Sequence, residues 1–399
     1  MSIRNGLFTS EAVSSGHPDK LCDRISDAFL ERDPNARVAC EALAANDKII
    51  VAGEFRTALP KHFAEVRHET PAIVRRVLAD IGYGTTEHDI DPQSCEIEVR
   101  FNHQSPEIAS SVDGATLGAG AQGLMFGYAT TETKALMPLA WSLATDLVAA
   151  GTAIRETGGS GLKPDAKSQV TVRYENAEPV GVQTVVLSWQ HDPRLSLASV
   201  RKLLLDRVID AVVPQAQRTA DFRALVNPAG AWTTGGPKGD TGLTGRKIIV
   251  DTYGGACPHG GGAFSGKDPT KVDRPGAYAA RWVAKTVVAS GLASRCTVQV
   301  AYAIGVAKPV SIHVDVHGTG FVSEAAVERA VSQIFDLSPA GIIRDLDLLR
   351  PIYTATSSLG HFGQWRDPSQ YRWESTERAS ELLDAACRVG NTERLRARP

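Results

Sequence analysis

Residues 260–273 combine glycines, two lysines and two aspartates in the order Gly-Gly-Gly-Ala-Phe-Ser-Gly-Lys-Asp-Pro-Thr-Lys-Val-Asp. Glycines let main-chain N–H groups approach phosphate oxygens, lysines neutralise phosphate charge, and aspartates bind the Mg2+ that accompanies nucleoside triphosphates. The segment therefore predicts a site for a polyphosphate and its metal ions. A flexible surface loop is the alternative, but three glycines followed by alternating charges are poor linker chemistry.

The spacing Gly261-x4-Gly266-Lys267 resembles a Walker A loop only superficially. Asp268 stands where Mg2+ binding would need Ser or Thr, and no expected strand runs directly into the first glycine. The sequence therefore argues against a P-loop.

A second anion-type segment, residues 14–20 (Ser-Ser-Gly-His-Pro-Asp-Lys), leads into the first expected helix. The free N–H groups at a helix start favour an anion. His17 could hydrogen-bond a phosphate or leaving oxygen, Asp19 could hold a metal, and Lys20 adds positive charge. An ordinary helix cap explains the Ser and Asp equally well.

Position within the chain favours a ligand site over a simple cap. The chain contains a helix–hairpin–helix pattern that recurs three times, as described below. Asp19 begins the first helix of the first copy, and Asp273 precedes the equivalent helix of the third copy. Pseudo-symmetry between the copies could therefore bring both carboxylates to one metal cluster. Asp23 and Asp27 continue from Asp19 at four-residue spacing, which a solvated or salt-bridged helix face also explains.

Two further charged segments fit a polyphosphate. One is the glycine-rich run 235–242, followed by Arg246 and Lys247 and then by an expected strand at 248–250. Arg binds phosphate through a bidentate fork and Lys acts as a point charge. The other segment runs from Lys163 through Asp165 to Lys167. Either segment alone could be ordinary surface charge.

The elements that must position these residues form a repeated unit. Two β-rich runs flanking a turn recur about every 130 residues, at 37–43 with 48–54, 169–174 with 180–190, and 296–303 with 310–317. Apolar periodicity predicts a helix before each hairpin, at 20–32, 135–150 and 277–290, and one after it, at 61–81, 197–213 and 324–335. A further strand is expected at 95–101.

This repeat predicts an α+β fold of three pseudo-threefold-related domains, each a β-sheet with helices packed on one side. The expected boundaries are residues 3–107, 114–233 and 234–380, with a charged tail at 381–399. At 399 residues, the chain is long enough for several cores.

Composition limits the partners. A formal charge of −2 with 43% hydrophobic residues gives no whole-molecule attraction to nucleic acid or to an anionic membrane. No signal-like or membrane-spanning apolar run is present in the sequence, so we expect a cytoplasmic protein.

Several motifs, in order along nearly the whole chain, resemble those of the S-adenosylmethionine synthetase family. They are Phe8-Thr-Ser-Glu11, Gly16-His-Pro-Asp-Lys20, Gly123-Leu-Met-Phe-Gly-Tyr128, Pro164-Asp-Ala-Lys-Ser168, Gly239-Asp-Thr-Gly-Leu-Thr-Gly-Arg-Lys247 and residues 260–274. The resemblance implies attack of the methionine sulfur on C5′ of ATP, release of intact triphosphate, and its hydrolysis to pyrophosphate and phosphate. It also implies Mg2+, about two per site, K+, and a homodimer or homotetramer with active sites between subunits.

The resemblance assigns roles residue by residue. The implied catalytic residues are His17, Lys167, Arg246, Lys247, Lys267 and Lys271. ATP binding is implied for His17, Asp165, Lys167, Ala231, Trp232, Asp240, Arg246, Lys247, Ala263 and Lys267, with Trp232 where the family usually stacks a phenylalanine on adenine. Methionine binding is implied for Glu54, Gln104, Asp240, Lys271 and Ile304. The implied metal ligands are Asp19 and Asp273 for Mg2+ and Glu41 for K+.

The chain departs from the family pattern at Ala121, because Gly-Ala-Gly-Asp-Gln-Gly reads Gly118-Ala-Gly-Ala-Gln-Gly123 here. A carboxylate expected near the methionine is missing, which predicts weaker methionine binding, slower turnover or a wider substrate pocket. The stretch 105–118, which corresponds by resemblance to a mobile gating loop in the family, is also about three residues short. Two other functions stay open: a methionine-independent triphosphatase or phosphotransferase, and a catalytically weakened regulatory homologue.

Overall fold

A computed structural model describes residues 5–31, 33, 35–57, 60–84, 87–104 and 117–396. The shortened loop expected at 105–118 lies outside these residues except for its last two positions. The described chain is α+β, as the sequence predicts, and its eleven strands form three sheets.

The first sheet has the strand order β1-β6-β7-β8, the second β4-β3-β2-β9, and the third β11-β10-β5. The strands are β1 (Gly6–Val13), β2 (Arg37–Ala45), β3 (Lys48–Arg56), β4 (Glu96–His103), β5 (Gly123–Thr130), β6 (Leu162–Glu175), β7 (Glu178–His191), β8 (Arg218–Val226), β9 (Gly242–Leu243), β10 (Arg295–Tyr302) and β11 (Ser311–Asp315).

The main helices precede and follow the three hairpins. They are α1 (Pro18–Ala28), α2 (Pro60–Ile81), α3 (Leu139–Glu156), α4 (Leu197–Leu204), α5 (Ile248–Asp251), α6 (Asp273–Ala289), α7 (Glu324–Ile334), α8 (Pro339–Leu346) and α9 (Ala379–Arg396). Helix α4 continues through a π turn (Leu205–Ile209) and a last helical turn (Asp210–Val212). The segment expected as a charged tail is helical as far as Arg396.

All three expected hairpins are present as antiparallel pairs, β2 with β3, β6 with β7, and β10 with β11. The tight turns use left-handed backbone at Asn46 in the first hairpin and at Asn176 and Ala177 in the second. Asparagine tolerates this conformation better than most residues, so the local sequence fixes where these strands reverse.

The prediction of a strand at 248–250 is wrong, because these residues form the short helix α5. The amide of Asp251 donates to the carbonyl of Lys247 at 2.9 Å, and the Trp141 indole N–H donates to the carbonyl of Val250 at 2.9 Å. Tertiary packing therefore overrides the β propensity of the Ile-Ile-Val run.

Three strands pair far from their own part of the chain. Strand β1 pairs along its whole length with β6, β9 pairs with β2, and β5 pairs with β10. These exchanges bring residues near positions 17, 167 and 245 to one place, which local pattern alone does not predict.

The core forms two clusters of buried side chains. One lies around α3, β6 and β7, with Trp189 and Leu187 fully buried. The other joins residues between 21 and 141 to residues between 253 and 386, and it contains Trp141, Tyr278 and Trp373. Within the described residues, no helix combines the length and apolar character needed to span a bilayer.

Candidate active site

His17 lies at the amino terminus of α1 and caps it. Its Nδ1 accepts the backbone N–H of Asp19 at 3.2 Å, and Pro18 occupies the first helical turn. Proline suits this position because its missing N–H has no helical partner there. With Nδ1 accepting, the proton of neutral His17 lies on Nε2, which leaves Nε2–H as a donor.

Asp19 lies close to Arg246 and Lys247, the two cationic residues of the loop after β9. Its Oδ2 accepts from Lys247 Nζ at 2.6 Å, its Oδ1 accepts the amide of Leu243 at 2.9 Å, and Arg246 Nη1 lies 3.6 Å from Oδ1. Gly242 must be glycine, because a Cβ there would overlap the Pro18 backbone.

The central third of the chain contributes Asp165 and Lys167. Ser14 holds this segment, since its hydroxyl donates to the carbonyl of Pro164 at 2.6 Å and accepts the amide of Ala166 at 2.8 Å. Lys167 is half-exposed and pairs with Glu11 at 2.8 Å. We call His17, Asp19, Asp165, Lys167, Arg246 and Lys247 the helix cluster.

The helix cluster holds unusual protonation states. Burial, together with the positive charge of Lys247, lowers the pKa of His17 to about 4, so the ring is neutral near pH 7. Burial by itself raises the pKa of Asp19, but the hydrogen bonds from Lys247 and the Leu243 amide lower it overall. Burial raises the pKa of Asp165 to about 7, although the Gly236 amide donates to its Oδ2 at 2.8 Å.

A second group lies on the glycine loop (residues 260–272) and the start of α6. Lys267 Nζ pairs with Asp273 Oδ2 at 2.6 Å, and Lys271 pairs with Asp268. Asp268 is buried and accepts the Val38 amide at 2.8 Å, so it fastens the loop to β2. We call Lys267, Lys271 and Asp273 the glycine-loop cluster.

A cavity of about 190 Å3 opens beside the glycine-loop cluster. Three of its other lining side chains are Glu54, Gln104 and Ala121. The Oε1 atom of Gln104 is buried and has no hydrogen-bond partner within the described residues. A small polar or zwitterionic ligand would satisfy this atom, because buried polar groups are normally paired.

Ala121 reaches the cavity because its segment is held on two sides. The Gly120 amide donates to the carbonyl of Thr270 at 3.2 Å, and Ala119 forms a bridge with Ile304. Ile304 is exposed and lies near, but does not line, the cavity.

The remaining predicted residues lie around the two clusters. Asp240 is exposed, and its negative charge acts on His17 and Asp165. Trp232 is half-buried and held by a hydrogen bond from its indole N–H to the carbonyl of Thr234 at 2.8 Å, next to exposed Ala231.

Two further predicted residues, Ala263 and Glu41, lie in or beside the glycine loop. A Cβ on Gly245 would lie 2.6 Å from the Cβ of Ala263, so the loop that carries Arg246 touches the glycine loop there. Glu41 is exposed on β2 beside Cys40, whose amide donates to the carbonyl of Gly266 at 2.9 Å.

No ion pair in the described part of the chain links the helix cluster to the glycine-loop cluster. Likewise, no set of three or more His, Cys, Asp or Glu side chains there is grouped to hold a metal. The structure thus brings together most of the predicted residues, but in two clusters.

Sequence reasoning missed the buried charges that support the clusters. Asp23 and Asp27 are fully buried, whereas a solvated helix face was one interpretation of their spacing. Asp23 shares Lys20 with Asp251, and Asp27 pairs with Arg274. The four-residue spacing was the available signal, but it is identical for buried and solvated faces.

Comparison with known proteins agrees with this architecture. Family models of the S-adenosylmethionine synthetase N-terminal, central and C-terminal domains match residues 5–106, 116–232 and 234–375. The chain therefore belongs to the S-adenosylmethionine synthetase family, and its three-domain α+β class is the one that the sequence predicts.

Curated relatives match over nearly their full length. An S-adenosylmethionine synthase of a Nitratiruptor species is 50% identical over 388 residues, which cover 96% of this chain and 98% of that protein. An S-adenosylmethionine synthase of Wolinella succinogenes is 51% identical over 384 residues, covering 94% and 97% of the two chains.

Proposed function

We propose that this protein synthesises S-adenosylmethionine from ATP and L-methionine. In this reaction the methionine sulfur attacks C5′ of ATP, the intact triphosphate departs, and the same site hydrolyses it to pyrophosphate and phosphate. The observation that carries the proposal is the pair of cation clusters, Lys247 with Asp19 and Lys267 with Asp273, in a chain half identical to named synthases.

The chemistry explains why cations dominate these clusters. A thioether sulfur is already a nucleophile, so no general base is needed, and the barrier depends on the charge that collects on the departing triphosphate. Lys167, Arg246, Lys247, Lys267 and Lys271 would stabilise that charge. Neutral His17 would donate from Nε2 to an oxygen of the ribose–phosphate link.

Asp19 and Asp273 are suited to Mg2+. Each of their carboxylate oxygens has two lone pairs, and the hydrogen bonds to Asp19 use one per oxygen, which leaves acceptor capacity for a hard cation. Mg2+ is commonly held by one or two carboxylates together with substrate phosphates, so sparse protein ligands fit. Bound Mg2+ would neutralise phosphate charge, and Glu41 would hold K+.

The other predicted residues would bind the two substrates. Trp232 would stack on adenine beside Ala231, while Asp165, Asp240 and Ala263 would contact the nucleotide. The cavity beside the glycine-loop cluster would take methionine, with Glu54, Gln104, Lys271 and Asp240 as polar contacts and Ile304 near its entrance.

We further propose a homodimer, or a homotetramer built from two such dimers, with its active sites between subunits. Asp19 and Asp273, the two carboxylates proposed for Mg2+, lie in separate clusters, and no ion pair in the described part of the chain joins these clusters. A second copy that faces the helix cluster with its own glycine-loop cluster would complete the site.

Product analysis tests the proposal. Purified protein with ATP, Mg2+, K+ and methionine should yield equal amounts of S-adenosylmethionine, pyrophosphate and phosphate. Triphosphate cleavage that does not depend on methionine would favour the triphosphatase alternative. Absence of any product at high protein concentration would favour the regulatory homologue that the missing carboxylate at Ala121 suggests.

A further inference from the structure

The three aspartates of α1 lie on one buried face of the helix. Asp19, Asp23 and Asp27 follow each other at four-residue spacing, and each is at most 2% exposed. Residues at this spacing stack along one side of a helix. Carboxylates are seldom buried without a reason, because desolvation of charge is costly.

Each of these carboxylates accepts a backbone N–H from strand β9 or from a loop, in every case more than 200 residues away. Asp19 accepts from Leu243 at 2.9 Å, Asp23 from Gly245 at 2.8 Å, and Asp27 from Gly266 at 2.7 Å. The first two acceptors hold the loop that carries Arg246 and Lys247, and the third holds the glycine loop. Helix α1 therefore fastens both cation-bearing loops to one rigid element.

Asp27 has the most direct connection to the glycine-loop cluster, through Arg274. The guanidinium donates from Nη1 to Asp27 Oδ1 at 2.9 Å and from Nη2 to Oδ2 at 2.8 Å. Nη1 also donates to the backbone carbonyl of Lys267 at 2.9 Å. Since Arg274 directly follows Asp273, one buried fork fixes the backbone at both ends of the Lys267–Asp273 ion pair.

Gly266 makes the third contact possible. Its φ of +79° is left-handed, and a Cβ would overlap the carbonyl of Cys40, so only glycine fits easily there. Neither Asp27 nor Arg274 can touch a substrate, because both are fully buried. Any influence they have on a bound polyphosphate must pass through Lys267 and Asp273.

We propose that Asp27 and Arg274 are a positioning pair that sets the geometry of Lys267 and Asp273 toward a magnesium polyphosphate. This inference rests on the proposed function, in which those two residues contact the triphosphate and its metal. Displacements of about 1 Å at a catalytic group can reduce rates about 100-fold, so a fixed anchor matters.

Arg274→Lys tests the pair, because it keeps the charge but replaces the fork. One ammonium cannot hold both Asp27 oxygens and the Lys267 carbonyl in the same geometry. Arg281→Lys is the matched control. Arg281 is also fully buried on α6 and pairs with Glu374 at 2.9 Å, and its other hydrogen bonds go to backbone carbonyls of residues that belong to neither cluster.

Binding of inorganic tripolyphosphate with Mg2+ is measured by calorimetry, together with kcat, KM and the Mg2+ concentration for half-maximal rate. All proteins are compared well below the lowest Tm. We expect Arg274→Lys to weaken tripolyphosphate binding and lower kcat, each about 10- to 100-fold, and to raise the Mg2+ requirement. Arg281→Lys should lower Tm alone. Asp27→Asn, which keeps an acceptor for Gly266, should act in the same direction as Arg274→Lys.

Equal tripolyphosphate binding and kcat in Arg274→Lys and the wild type would overturn the proposal. So would equal losses in Arg281→Lys, or failure of both Asp27→Asn and Arg274→Lys to fold while Arg281→Lys folds. If the wild type forms no S-adenosylmethionine, the proposed function fails, and tripolyphosphate binding still decides the positioning role. If the wild type does not bind tripolyphosphate, both the proposed function and the positioning role fail.

Discussion

Replacing Ala121 by aspartate should improve the use of methionine. The cavity that Ala121 lines carries two ammonium groups, Lys267 and Lys271, and two carboxylates, Glu54 and Asp273. Asp273 already pairs with Lys267 at 2.6 Å, whereas Glu54 makes no ion pair with any residue that the structure describes. Thus Glu54 carries the carboxylate of this cavity that makes no ion pair within the described residues, and under the proposed function it would be the one to face the methionine ammonium.

The expected size of the effect follows from one added contact. The cavity of about 190 Å3 has room for a carboxylate, which displaces roughly two waters of ~30 Å3 each. A charge-assisted hydrogen bond contributes about 1.5–3 kcal/mol. Ala121→Asp should therefore lower the KM for methionine, or raise kcat/KM, by about 10- to 100-fold.

The assay is the initial rate of S-adenosylmethionine formation at saturating ATP over a range of methionine concentrations. Ala121→Asn is the matched control, since it has the same shape without the charge and should give little of the gain. A methionine analogue that lacks the amino group provides a second control, because the added carboxylate should not favour it. Unchanged methionine kinetics in Ala121→Asp, or an equal gain in Ala121→Asn, would refute the reasoning.

Three further predictions concern the loops and the helix start. Burial lowers the pKa of His17 from 6.5 to about 4, so its contribution to stability is present above pH 6.5 and is lost as pH falls toward 4. The difference between these two pKa values corresponds to roughly 3 kcal/mol, and urea unfolding of His17→Gln should show a correspondingly smaller loss of stability in acid than the wild type; parallel pH profiles would contradict this. Lys247→Gln removes the ammonium 2.6 Å from Asp19 and should lower kcat about 100- to 1,000-fold with the fold intact by circular dichroism, whereas a wild-type rate would exclude the assigned role. Gly266→Ala should lower the free energy of unfolding by about 1–3 kcal/mol, because φ is +79° and an added Cβ would overlap the Cys40 carbonyl. Gly261 is also left-handed, but an added Cβ there meets no atom, so Gly261→Ala should lose less stability. Equal losses of Tm in the two variants would show that this overlap is not the cause.

Local pattern was enough to predict the repeated unit. The hairpins β2–β3, β6–β7 and β10–β11 follow from β-rich runs around turn residues, and the surrounding helices follow from apolar periodicity. These signals depend on neighbours within about ten residues. They are insensitive to where a strand finds its partner, so the pairing of β1 with β6 could not be read from them.

The candidate site shows the same division. Motif resemblance named Asp19, Lys247, Lys267 and Asp273, but the separation of these residues into two clusters depends on tertiary contacts. Tertiary contacts also explain why residues 248–250 form a helix and not the expected strand. The contact with Trp141 outweighs the β propensity of three β-branched residues. Sequence pattern therefore predicted the chemistry of the loops better than their geometry.

The buried charges on α1 carry a further consequence for the two loops. Buried ion pairs add little net stability compared with apolar residues of the same size, because desolvation offsets their attraction. Their effect here is on geometry. Each aspartate of α1 accepts a hydrogen bond from one particular backbone amide, so the segments that carry these amides can adopt few other arrangements. The positions of Lys247 and Lys267 then depend on α1 more than on the stiffness of their own glycine-rich segments. Mutations that shift α1 along its axis should disturb both clusters together, whereas mutations confined to one loop should disturb one.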